Sequence, residues 1–183
     1  MPSIVCLLRG VNVGGHHRIL MADLRSLCEK LGHTRVQTYV QSGNVVFSTR
    51  SRNLLRVAED IENAIESSHG FRSNVILRTT EELRRTVAAS PVAYRDGFEP
   101  AKHIVQFLAA APPDPVRDAL QKLPPAPEEL HLIGRELYIY FPNGISKSEL
   151  SLSKLERLLK VAGTARNWNT VTKLLAIAEE MDA

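Results

Sequence analysis

The chain has 183 residues, 44% hydrophobic and 23% charged, proportions that fit a folded globular protein of one domain or two small ones. They exclude collagen-like, coiled-coil, low-complexity and wholly disordered classes, and no apolar run reaches the roughly 20 residues that span a bilayer. The net charge is only +3, yet residues 1–50 hold six Lys or Arg against two acids, and residues 151–173 hold five against one.

Ser3–Arg9 is a continuous apolar run of strand length with no basic region before it, so it reads as a first strand and not a signal peptide. This places the protein in the cytoplasm. Gly10–Leu20 is a glycine-rich loop. Met21–Leu31 sets Leu24, Leu27, Cys28 and Leu31 on one helical face, with Asp23 suited to the helix start and Gly32 to its stop. Arg35–Gln41 and Asn44–Thr49 form a hairpin over a two-residue Ser42-Gly43 turn, with Asn44 bonding its own backbone. Asn53–Ser68 is a helix with Leu54, Val57, Ala58, Ile61 and Ile65 inward, and Ser73–Thr79 is a strand. The order βαββαβ is the ferredoxin-like pattern.

Thr80–Ser90 is a connecting helix with Thr80 as its N-cap, ended by Pro91. After a linker at 91–101 the order repeats: strand Lys102–Leu108, helix Asp114–Leu123, hairpin Glu128–Ile133 and Glu136–Phe141, helix Glu149–Val161. The second half is then βαββα, lacking a last strand. A helix over Asn169–Met181 closes the chain. The expected architecture is α+β, with an N-terminal ferredoxin-like half at 1–90 and a C-terminal ferredoxin-like half plus terminal helix at 91–183.

Cys6 and Cys28 lie within apolar patterns and read as buried small hydrophobes, not as a disulfide or a reactive thiolate. No Cys/His spacing resembles a zinc site, and the lone pair His16-His17 does not make one. No metal or cofactor is expected. No glycosidase-like acid pair, zinc-protease motif or Ser/His/Asp signature stands out. Tyr138 and Tyr140 share a strand face without matching the aromatic RNA-binding signature.

Two segments carry candidate chemistry. In Arg9-Gly10-Val11-Asn12-Val13-Gly14-Gly15-His16-His17-Arg18, glycines between strand and helix would let backbone N–H groups approach an anion, with Arg9, Arg18 and the histidines adding charge. The spacing is neither of the familiar phosphate-loop patterns, and turn geometry alone would also account for these glycines. In Thr164–Thr170, Arg166 and Trp168 offer a cation beside a flat ring, Asn167 or Asn169 an N-cap, and Lys173 further charge; the alternative is that Trp168 only anchors the last helix. The first and third strands, taken as parallel, put the glycine loop and the Ser42-Gly43 turn at opposite sheet ends, roughly 15–20 Å apart. The glycine loop is therefore paired on charge grounds with Arg166–Lys173.

Leu7–Gly15, Met21–Arg25, Tyr39–Phe47, Pro142–Gly144 and Thr164–Leu174 closely resemble the domain-of-unknown-function family 1697. The resemblance implies an α+β fold with ferredoxin-like halves, widespread in bacteria, and no established activity. The family commonly has a Lys soon after the double glycine, where this chain has His16-His17-Arg18, and Ser146-Lys147-Ser148-Glu149 departs from its usual Arg-Ser-Lys-like run.

Three functional readings follow. The first is a binding module for a phosphate-bearing ligand or nucleic acid, formed by Arg9, Asn12, Gly14, Gly15, His16, Arg18, Arg166, Asn167, Trp168 and Lys173. The second is an enzyme on a small anionic substrate, bound by Arg9, Asn12, Arg18 and Arg166, with His16 or His17 as acid/base. The third is a structural or dimerising module acting through exposed sheet edges. Monomer and homodimer are both open, and no membrane contact is expected.

Overall fold

The computed structural model describes residues 1–123 and 126–183. The chain divides into two compact units, Met1–Arg85 with Lys173–Ala183, and Thr86–Thr172. Each contains a four-stranded antiparallel sheet.

In the first unit the elements are β1 (Ser3–Leu8), α1 (Met21–Lys30), β2 (Thr34–Thr38), β3 (Asn44–Ser48), α2 (Leu54–His69) and β4 (Val75–Thr79), with α3 (Thr80–Ala88) following. The strand order is β2-β3-β1-β4. β1 is central and buried along its whole length, which is why it reads as an unbroken apolar run and not an alternating one. Its Ile4, Cys6 and Leu8 share one face with Val45, Phe47 and Leu77, and that face packs on Leu24, Leu27 and Cys28 of α1 and Val57, Ile61 and Ile65 of α2. Asn53 caps α2 by accepting from the Arg56 amide, and Gly70 closes it in the left-handed conformation. Glu62 ties α2 to the next strand: its carboxylate accepts from the Val75 amide at 2.8 Å and meets Arg72 at 2.8 Å.

The cap of α3 is Thr79, not Thr80. Its hydroxyl accepts from the Glu82 amide at 3.1 Å, while Glu82 accepts from the Thr79 amide at 2.9 Å, a reciprocal capping box. Thr80 instead donates to Asp182.

The second unit holds β5 (His103–Leu108), α4 (Asp114–Gln121), β6 (Glu129–Ile133), β7 (Glu136–Tyr140), α5 (Leu152–Leu159) and β8 (Gly163–Asn167) in the order β6-β7-β5-β8. The sequence reading stops this half at βαββα; β8 completes it as βαββαβ. Val116, Leu155 and Leu159 of its helices cover Ile104, Leu108, Leu137 and Ile139. Tyr138 and Tyr140 are both buried, and the Tyr138 hydroxyl donates to the Thr86 carbonyl at 2.7 Å. The last helix, α6 (Trp168–Asp182), begins in the second unit and ends in the first.

Strand direction corrects a further expectation. β1 is antiparallel to β3, with Leu7 opposite Asn44. A right-handed crossover through α1 makes β1 and β2 parallel, so the hairpin reverses β3 against β1. The turn between β2 and β3 therefore lies at the same end of the sheet as the glycine-rich loop. That turn is also longer than two residues, running from Tyr39 to Gly43. The β1–α1 connection covers residues 9–20, whereas the matching β5–α4 connection covers only 109–113.

Candidate functional site

The glycine loop folds into a miniature hairpin. The Asn12 amide donates to the His17 carbonyl at 3.1 Å, and the His16 amide to the Val13 carbonyl at 3.1 Å. Gly14 and Gly15 occupy its tip with φ of 58° and 80°, the pair of left-handed residues that a tight type I′ turn needs. The two glycines are thus accounted for by the turn, and the His16 amide is spent inside it.

Asn12 locks this hairpin to the rest of the sheet end. It takes φ +56°, one of the few conformations where Asn is favoured over other L residues. Its amide nitrogen donates to Ile19 O at 3.0 Å and Gln41 O at 2.7 Å, and its oxygen accepts from the Ile19 amide at 3.0 Å. One side chain closes the loop on itself and joins it to the β2–β3 turn. That turn has its own anchor: the buried Asn44 donates to Tyr39 O and Ser42 Oγ, both at 2.9 Å. Gly43 completes the junction. Its carbonyl accepts from the Leu8 amide at 2.9 Å, and a Cβ there would lie 2.4 Å from Val11 Cγ2 and 2.8 Å from Leu8 Cβ.

Where these segments meet there is an open cleft of about 440 Å³, lined by Asn12, Gly15, Arg18, Asp23, Gln41 and His69 with the apolar Ile19 and Leu20. Arg18 is exposed, its guanidinium beside the glycine tip; among the described residues no carboxylate pairs with it. His69 ends α2 and receives or donates a 2.7 Å hydrogen bond at Nδ1 with Ser68 Oγ. Next to the cleft the ring of His17 stacks on Phe71, with centroids 4.7 Å apart and planes 16° off parallel. His69 meets Phe71 edge-on at 6.1 Å.

The remaining candidates are distributed as follows. Arg9 carries hydrogen bonds of its backbone to Asn74 O and Ser73 Oγ, bracing the start of the loop. His16 is exposed on the hairpin. Arg166, 7% exposed, donates to Thr164 Oγ1 at 2.7 Å and Ala165 O at 2.8 Å within β8. Asn167 accepts from the Asn169 amide at 3.0 Å, the cap of α6. Trp168 is 6% exposed, its ring against His103 at 4.8 Å and Phe98 at 6.2 Å, inside the second unit's own packing. Lys173 is exposed and groups with the first unit, whereas Arg166, Asn167 and Trp168 group with the second. Asp23, Gln41 and His69 escaped the sequence reading as site residues. Asp23 was legible only as a helix-start acid, and nothing in the pattern around His69 singles it out.

Both cysteines are fully buried, and burial with the nearby Glu29 carboxylate pushes the Cys28 thiol up to about 12, so it stays protonated. Among the described residues no group of three His, Cys, Asp or Glu is placed to hold a metal ion, and no helix is long and apolar enough to cross a membrane.

A conserved bacterial protein from Streptococcus pneumoniae shares this fold: its solved structure superposes with a TM-score of 0.72 at 25% identity, over 97% of this chain and 98% of that one. No curated protein matches. The family model described as protein of unknown function (DUF1697) matches residues 1–138, a span that contains the whole glycine loop and its cleft. The chain therefore belongs to the DUF1697 family.

Proposed function

We propose that the cleft at this end of the first sheet binds a small, phosphate-bearing anion. Arg18 carries the reading. An exposed guanidinium without an internal carboxylate, standing on an open cleft that also holds Asn12 and Gln41, is suited to bidentate capture of a phosphate. Asn12 supports it from behind, because its hydrogen bonds to Ile19 and Gln41 fix the loop that carries Arg18. The glycines act by shaping the turn, and recognition falls to side chains. A cleft of about 440 Å³ suits a small molecule better than a polynucleotide, which needs an extended cationic track. An enzyme acting on the same class of molecule is the second reading, favoured by His69 and Asp23, two proton-exchanging groups on one cleft.

Titration calorimetry with ribose 5-phosphate in low salt tests the binding reading. Binding is expected, weaker as salt rises from about 50 to 200 mM and lost in Arg18→Glu. Absence of binding, or an unchanged isotherm for Arg18→Glu, would overturn it.

A further inference from the structure

We infer that the ligand of this cleft is a mononucleotide, its phosphate on Arg18 and its base stacked on the histidine–phenylalanine row beside it. The inference rests on the anion-binding reading and names the rest of the molecule.

Three observations lead there. His69 lines the cleft and touches Phe71, Phe71 lies under His17, and His17 is the residue before Arg18. A row of flat rings thus starts in the cleft wall at His69 and runs through Phe71 to His17, the chain neighbour of Arg18. Successive bases and single bases alike stack on such surfaces, whatever their hydrogen-bonding edges.

The second observation is how firmly His17 is held while remaining exposed. Phe71 covers one ring face, and Nδ1 sits 3.3 Å from the Gly10 carbonyl oxygen. Its φ of +51° lies in the left-handed region, uncommon outside glycine, and the hydrogen bond between the Asn12 amide and the His17 carbonyl helps maintain it. A ring fixed in this way on an exposed residue is a platform organised before anything arrives.

The third is Asp23. A carboxylate on an anion-binding cleft repels bare phosphate, but it accepts hydrogen bonds from hydroxyl groups. A ribose between base and phosphate supplies them. Phosphate, hydroxyls and a flat ring are the three parts of a nucleoside monophosphate, and Arg18, Asp23 and the ring row answer them in turn.

The test compares AMP, ribose 5-phosphate and inorganic phosphate on the full chain by titration calorimetry. AMP is expected to bind about tenfold tighter than ribose 5-phosphate, near the lower end of what one stacked base contributes. His17→Asn keeps a residue that tolerates the left-handed backbone and removes the ring. It should bring AMP to the affinity of ribose 5-phosphate and leave ribose 5-phosphate unchanged, while His17→Phe should keep the preference. Equal affinity for AMP and ribose 5-phosphate in the unmodified protein would overturn the nucleotide inference and leave the anion site standing. No binding of any of the three would overturn both.

Discussion

Replacing Asn12 by alanine removes three hydrogen bonds at once: two donated to the Ile19 and Gln41 carbonyls and one accepted from the Ile19 amide. At a net contribution of roughly 0.5–1.5 kcal/mol each, the loss spans about 1.5–4.5 kcal/mol. The side chain is half-buried and its bond to Gln41 is exposed, so the lower half of that range applies. Alanine at φ +56° adds a backbone penalty of about 1 kcal/mol. The expected destabilisation is thus about 2.5–4 kcal/mol, read from urea unfolding followed by circular dichroism at pH 7. Asn12→Gly loses the same bonds but accepts the backbone angle, and should recover about 1 kcal/mol of the deficit. Asn12→Asp keeps the acceptor for the Ile19 amide but turns an oxygen toward two carbonyls, and should fare no better than alanine. An Asn12→Ala variant within about 0.5 kcal/mol of the parent would refute the assignment of this side chain as the lock between the two loops.

Gly43→Ala combines a near-collision at 2.4 Å with a φ of +78°, and should cost about 2–4 kcal/mol in the same assay. Gly163→Ala carries no such backbone angle; its Cβ would meet Leu108 Cδ2 and Phe107 O at 2.9 Å, so overpacking of β8 on β5 alone should cost about 1–3 kcal/mol. Acid should weaken the fold through His33 and His103, whose burial holds both below the ordinary histidine value. The unfolded chain takes up their protons near pH 6.5, while the native state does so only at lower pH, so stability falls as pH drops through about 6.5 and levels off below the native values. His33, stacked on Phe47 with its Nε2 buried and unpartnered among the described residues, should give a flatter pH profile as His33→Leu; an unchanged acid slope would refute its share.

Most of the architecture is legible in the sequence, because long apolar patterns such as Ser3–Leu8 and the inward stripe of α2 report directly on burial. β8 is not. Gly-Thr-Ala-Arg-Asn has no strand-like alternation, and its strand identity comes from pairing with β5, which leaves no room for a side chain at Gly163. The cleft is less legible for a different reason. The charges around Arg18 are visible in the sequence, but reading β3 as parallel to β1 puts Gln41 at the far end of the sheet, and the strands are antiparallel. Arg166 and Trp168 looked available because a sequence shows charge and ring but not packing; both are turned into the second unit's interior. His69 and Phe71 flank the left-handed Gly70 that ends α2, and their meeting with His17 shows only in the fold.

The two units repeat one chain path, yet their first connections differ: twelve positions with glycines, histidines and arginines after β1, against Ala109-Ala110-Ala111-Pro112-Pro113 after β5. Three alanines and two prolines offer no charge, no ring and little to grip. The duplicated scaffold therefore carries its own blank, one copy elaborated at the spot where its twin stayed plain. Transplanting residues 9–20 onto the plain copy would ask whether recognition travels with that short stretch or belongs to the whole sheet end.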